Sequence, residues 1–189
     1  MKKIDKVSRL IFRVISLACL LFLVAACTPK NANPDTTLVV INEVRSILAL
    51  PDSQLEFVQE DGMINSPSGK LKVAIYQDPD GRKYSVDTER NRVVEIDARA
   101  TLPARSAETN SLPSEDLEKL AIGYAQALLP DFDVRQSTFS YEASAKGNNA
   151  FFTWYGEMQP GDMNRPFLQF GLYKDGTLFA YYNTIDLND

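Results

Sequence analysis

Two short stretches, Leu50-Pro51-Asp52 and Leu129-Pro130-Asp131, stand 79 residues apart, and each closes a segment of helical periodicity. In the first, Val40, Ile41, Val44, Ile47 and Leu48 fall on one stripe between Asp35 and Leu50. In the second, Leu117, Leu120, Ala121, Tyr124 and Leu128 do so between Ser114 and Pro130. Asp35 and Ser114 stand where N-caps belong, Glu115 and Asp116 suit the positive end of a helix, and the prolines stop both segments. The 79-residue shift also lays Leu38 on Leu117 and Ile41 on Leu120.

Short alternating segments follow each helix. In the first half they are Leu55–Gln59, closed by Asp61-Gly62, then Lys70–Gln77, Lys83–Val86 and Arg92–Ile96. In Lys70–Gln77 the side chains of Leu71, Val73 and Ile75 face one way, and Lys70, Lys72 and Ala74 the other, the period of a half-buried strand. Asn65–Gly69, Asp78-Pro79-Asp80-Gly81 and Asp87–Asn91 are the turns. In the second half the strands are expected at Ser137–Ala143, Ala150–Met158, Pro166–Tyr173 and Thr177–Asn183. Gly147-Asn148-Asn149, Pro160-Gly161-Asp162 and Lys174-Asp175-Gly176 punctuate them. The expected fold class is therefore α+β: two repeated units, each a helix packed on an antiparallel β-sheet.

The N-terminus sets the address. Met1–Arg13 holds five basic residues and one acidic, and Val14–Ala26 is an uncharged, almost wholly apolar run of 13 residues. This is the pattern of an export signal, and it falls short of the ~20 apolar residues that a membrane span needs. Val24-Ala25-Ala26-Cys27 resembles the bacterial lipobox, in which the cysteine thiol receives a diacylglycerol before cleavage. That resemblance implies lipid attachment at Cys27, a chain held on the cell membrane or outer membrane and facing the extracytoplasmic side. The expected organisation is a cleaved signal peptide over 1–26 and a tether over 27–35. A first unit over 36–97, a linker over 98–112 and a second unit over 113–189 follow.

Without the first 26 residues the charges fall to 15 basic against 24 acidic, a net of about −9, which argues against nucleic acid and anionic headgroups as partners. The expected partners are the membrane, through the lipid, and an envelope protein or peptide. Both cysteines are accounted for by the signal, so no disulfide is expected in the mature chain. The sequence holds no histidine, which removes the usual general base and the commonest zinc ligand.

Other chemistry is thin. Asp78-Pro79-Asp80-Gly81 lacks the middle ligands of a calcium loop and reads as a turn. Asp52, Glu56, Glu60 and Asp61 cluster near a turn without the apolar surroundings that would raise one pKa, and read as solvated surface. No catalytic residues, metal or cofactor are expected. The second half is rich in aromatics, in pairs such as Phe151-Phe152, Trp154-Tyr155 and Tyr181-Tyr182, whose members point to opposite faces of a strand. One face is core. The other either packs on the first half or binds a partner, and Trp154, Tyr155, Tyr181 and Tyr182 are the candidate surface.

Tyr84-Ser85-Val86-Asp87 with Arg92-Val93-Val94-Glu95-Ile96-Asp97 resembles the closing hairpin of PepSY domains, as does Leu172–Tyr182. The Ser114–Pro130 helix looks like the helix that opens such domains. The resemblance covers most of residues 36–186, although the Glu89–Asn91 turn lacks the glycine that the second copy has at Gly176. It implies small helix-plus-sheet modules outside the cytoplasm, found in propeptides of thermolysin-like metallopeptidases and in cell-surface proteins. Such modules are proposed to restrain proteases and have no catalytic residues to carry over. The function expected from all this is a non-catalytic binding or inhibitory module acting on an envelope protein such as a peptidase. The rival readings are a carboxylate-based envelope hydrolase and a structural assembly factor that offers a strand edge.

Overall fold

The computed structural model describes residues 34–99 and 111–185. Helix α1 spans Pro34–Ile47, and four strands follow it: β1 Glu56–Ser66, β2 Gly69–Gln77, β3 Lys83–Asp87 and β4 Arg92–Asp97. Helix α2 spans Ser114–Leu128, the single turn α3 spans Phe132–Arg135, and a 3₁₀ turn covers Gln136–Thr138. Four more strands complete the described chain: β5 Ser140–Lys146, β6 Asn149–Tyr155, β7 Phe167–Tyr173 and β8 Leu178–Asn183. Among the described residues no helix is long and apolar enough to cross a membrane.

All eight strands belong to one sheet, in the order β1-β2-β3-β4-β8-β7-β6-β5, and every neighbouring pair is antiparallel. This overturns the expectation of two repeated units, each with its own helix-covered sheet. The join is β4 against β8, with Glu95 opposite Tyr182, Ile96 opposite Tyr181 and Asp97 opposite Ala180. The core is likewise shared: Ile41 and Leu48 from α1 join Leu117, Ala121 and Ala125 from α2. The same core takes in Tyr76, Tyr84, Val86 and Ile96 from the first strands and Trp154, Phe170, Leu172 and Tyr181 from the last. Two four-stranded sheets would each leave an inner edge of unpaired N–H and C=O groups. Pairing β4 with β8 satisfies both edges and builds one larger core.

Both helices pack on the same face. Along β2 both faces are covered, where alternation suggests one. Ala74 and Tyr76 enter the main core, whereas Leu71, Val73 and Ile75 join Ile64 and Val94 in a smaller cluster on the opposite face. β1 is longer than expected because two register shifts, at Phe57/Gln59 and Gln59/Gly62, carry it through Asp61-Gly62. β5 starts later than expected, since Gln136–Thr138 closes a 3₁₀ turn first. The cap of α2 also differs: Pro113 occupies the N-cap position and Ser114 is the first helical residue, with no side-chain cap bond. Glu115 and Asp116 do lie in the first turn, and the Leu129 N–H ends the helix on the Ala125 carbonyl at 2.9 Å. The β6–β7 loop reaches the β1–β2 turn, where Met163 N–H donates to the Pro67 carbonyl at 2.7 Å.

Candidate functional site

Adjacent aromatics in β6 and β8 part company at the sheet. Trp154 and Tyr181 enter the core, where each is 2% exposed or less. With Phe170 between them they form a ladder: Trp154 lies 6.1 Å from Phe170, and Phe170 lies 5.6 Å from Tyr181. Phe132 sets its edge against Trp154 at 5.3 Å, and Tyr141 tilts over it at 5.2 Å. This ladder is the floor on which α2 and α3 rest.

Tyr155 and Tyr182 fall on the other face, which bears no helix among the described residues. Phe167 joins them into a second ladder. Tyr155 and Phe167 are directly cross-strand and 6.2 Å apart, and Phe167 is 6.2 Å from Tyr182. All three are half-buried. A second aromatic group lies on the same face, with Phe179 held edge-on to Phe151 at 5.3 Å and tilted against Tyr173 at 4.7 Å. Gly171 makes that possible: a Cβ there would stand 2.7 Å from the Phe179 ring.

An arginine brackets each end of the Tyr155–Phe167–Tyr182 ladder, and each is tied down. Arg165 lies 5.1 Å over the Tyr155 ring, with Nε donating to the Gly156 carbonyl and Nη2 to Ser140 Oγ, both at 2.9 Å. Arg99 grips Asp97 with Nε at 2.9 Å and Nη2 at 2.7 Å, and Nη2 also reaches the Tyr182 hydroxyl at 3.3 Å. The Tyr182 hydroxyl is pushed up to about 12, by burial first and then by the Glu95 carboxylate beside it. It is therefore a neutral donor at physiological pH. The Arg99 hydrogen bonds hold the Asp97 carboxyl below the usual range against the opposing effect of burial. Chemically, this is a preformed aromatic surface with two fixed cations. It suits stacking and hydrogen bonding to an extended peptide or an aromatic or acidic side chain.

A second cluster sits at the β2–β3 turn. Burial pushes the Asp78 carboxyl up, but the donors around it prevail and hold it below the usual carboxylate range. They are the Arg82 N–H and Nη1, each at 2.9 Å, and the Tyr84 hydroxyl at 3.0 Å. Burial and the Asp78 charge together raise the Tyr84 hydroxyl above its ordinary value. Asp80 is taken up by Arg82 Nη1 at 2.8 Å. With these partners the Asp78–Gly81 segment is a structural turn. Arg45, 1% exposed, lies 5.7 Å over the Tyr84 ring and donates to the Pro51 and Ser53 carbonyls, to Ser53 Oγ and to Asn42 Oδ1. It locks the chain reversal after α1. An outward cleft of about 550 Å³ between Gln54–Phe57 and Gln77–Pro79 borders this cluster, but the Asp78 carboxyl is fully committed behind it.

Of the residues singled out from the sequence, Tyr155 and Tyr182 lie together on the helix-free face, and Trp154 and Tyr181 lie in the core on the other. Asp52, Glu56, Glu60 and Asp61 are all exposed, with Asp61 paired to the exposed Lys72. The last strand, β8, is hydrogen-bonded on both sides and offers no edge. Cys27, the signal segment and the tether up to residue 33 lie outside the described residues, as does residues 100–110 of the linker. Sequence reasoning missed Phe167, Arg99 and Arg165 as members of the ladder. The pairing of β6 with β7 was legible as a hairpin, and counting back from it would have set Phe167 opposite Tyr155. The two arginines gave no such signal, because both reach the ladder from loops. Comparison with family models, with curated proteins and with solved structures finds no match for this chain.

Proposed function

We propose that this chain is a membrane-anchored extracytoplasmic lipoprotein, lipidated at Cys27, that works as a non-catalytic binding or inhibitory module toward an envelope protein or peptide. The observation that carries the binding reading is the Tyr155–Phe167–Tyr182 ladder, held between Arg165 and Arg99 on the helix-free face. Tyrosine and arginine combine large contact area with polar ends and dominate the energetics of recognition surfaces. The lipobox-like Val24–Cys27 supports the location, and the acidic balance of the mature chain supports a domain that stays off anionic headgroups. The two hairpins that resemble PepSY closing hairpins are β3–β4 and β7–β8, which meet at the β4–β8 join. They support a peptidase as the envelope protein concerned.

Two measurements test this. Cells expressing the chain incorporate labelled palmitate into it, and Cys27→Ser abolishes the label; label retained in that variant ends the lipoprotein reading. Immobilised protein over an envelope extract retains a partner that the Tyr155→Ala/Tyr182→Ala double variant loses. Equal retention by both proteins, with both folded by circular dichroism, removes the ladder from the function.

A further inference from the structure

The two outer edges of the sheet are built differently. β1 carries two register shifts and presents Glu56, Glu60 and Asp61, all exposed, along an edge that is bent and acidic. These are the devices by which sheets refuse a further strand. β5 has no bulge and no run of like charge: its two charged residues, Glu142 and Lys146, are of opposite sign. Its seven residues, Ser140-Tyr141-Glu142-Ala143-Ser144-Ala145-Lys146, pair with β6 in unbroken register, contain no proline, and are exposed along their whole length. One side of β5 is bonded to β6, and on the other no strand is paired among the described residues.

We propose that the β5 edge is a self-association site, where a second copy of this chain adds its own β5 antiparallel about a two-fold axis through Ser144. The charges choose the occupant and the register. With Ser144 on the axis, Glu142 of each copy stands opposite Lys146 of the other on the same face, so the strand is complementary to itself twice over. On the opposite face Ala143 meets Ala145, and the small side chains let the backbones approach. Tyr141 falls opposite Gly147, where a side-chain position has nothing within 4 Å. The axis stands normal to the sheet, so both helical layers lie on one side and both aromatic ladders on the other. The contact is narrow, and the net negative charge of each copy opposes it. Confinement of lipid-anchored copies to one membrane raises their effective concentration and offsets that weakness.

The test uses the mature lipidated protein in detergent micelles and on cells. Sedimentation finds a concentration-dependent dimer for the wild type. Glu142→Lys places lysine opposite lysine at two points and weakens the dimer roughly tenfold. Adding Lys146→Glu to that variant restores it. On cells under a mild oxidant, Ser144→Cys gives a homodimer band, because antiparallel partners about 4.5–5.5 Å apart fall within disulfide reach. Val58→Cys, exposed on the β1 edge, does not. A dimer indifferent to Glu142→Lys, a chain monomeric throughout, or a Ser144→Cys adduct with a different protein overturns the proposal. The last outcome makes the edge a docking strand for that protein instead.

Discussion

Asp78 gathers three donors on one buried carboxylate, and its loss is the costliest polar change in the β2–β3 turn. Asp78→Asn leaves the Arg82 guanidinium, 8% exposed as a residue, without its main anion. Breaking such a pair costs ~3–5 kcal/mol. For a chain of this size that lowers the thermal midpoint by roughly 10 °C, read by circular dichroism. Trp154 and Tyr155 make the sharper contrast. Trp154→Ala removes the centre of the core ladder and costs ~3–5 kcal/mol. Tyr155→Ala, on a half-buried ring, costs ~1 kcal/mol and acts on partner binding instead. Equal melting shifts for the two variants would contradict the assignment of faces. That adjacent aromatics must point to opposite faces was legible from the two-residue period. Which member faced the helices was not, because that depends on where α2 lands.

At the scale of elements, the β7–β8 hairpin holds Gly171 beneath Phe179. Gly171→Ala brings a methyl within 2.7 Å of that ring and 3.1 Å of Ala180 Cβ. Overpacking of this kind costs ~1–3 kcal/mol, and the expected reading is a lower urea midpoint with an unchanged slope. The turn residues behaved as their chemistry requires: Asn91 and Gly176 both adopt positive φ, at 49° and 85°. The helices and six of the strands were legible within a few residues from apolar period and turn composition. β1 and β5 were the ones displaced. Local pattern reads Asp61-Gly62 as a stop, but β2 supplies a partner that carries the strand past it through two bulges. Alternation along β2 marked the charged face as outward. In fact both faces are covered in part, and the stems of Lys70 and Lys72 are exposed beyond Ala74 and Tyr76.

For the whole molecule, pH acts chiefly from the acid side. Asp78 and Asp97 both titrate below their ordinary value when folded. A lowered folded-state pKa gives stability that is present above the unfolded value, near 3.9, and is lost as pH falls through the folded one. The melting temperature should therefore drop steeply below about pH 4, and Asp78→Asn should flatten part of that drop. With no histidine in the chain, the profile should be nearly level from about pH 6 to 8. A pronounced transition in that window would require a buried acid with a raised pKa and would reopen the hydrolase reading.

The sequence by itself determined the parts: two amphipathic helices, the antiparallel hairpins, their turns, the acidic balance, and a chain without histidine. These rest on side-chain period, backbone preference and composition, all local quantities. Only the tertiary structure decided that the strands make one sheet, through three residue pairs between β4 and β8 whose sequence separation exceeds 80. It also decided which tyrosines are core and which form the ladder, and that β5 is an open edge among the described residues. No local pattern carries that information, because an edge strand and a central strand alternate alike. They differ in whether another backbone arrives from far along the chain to satisfy their outer hydrogen bonds.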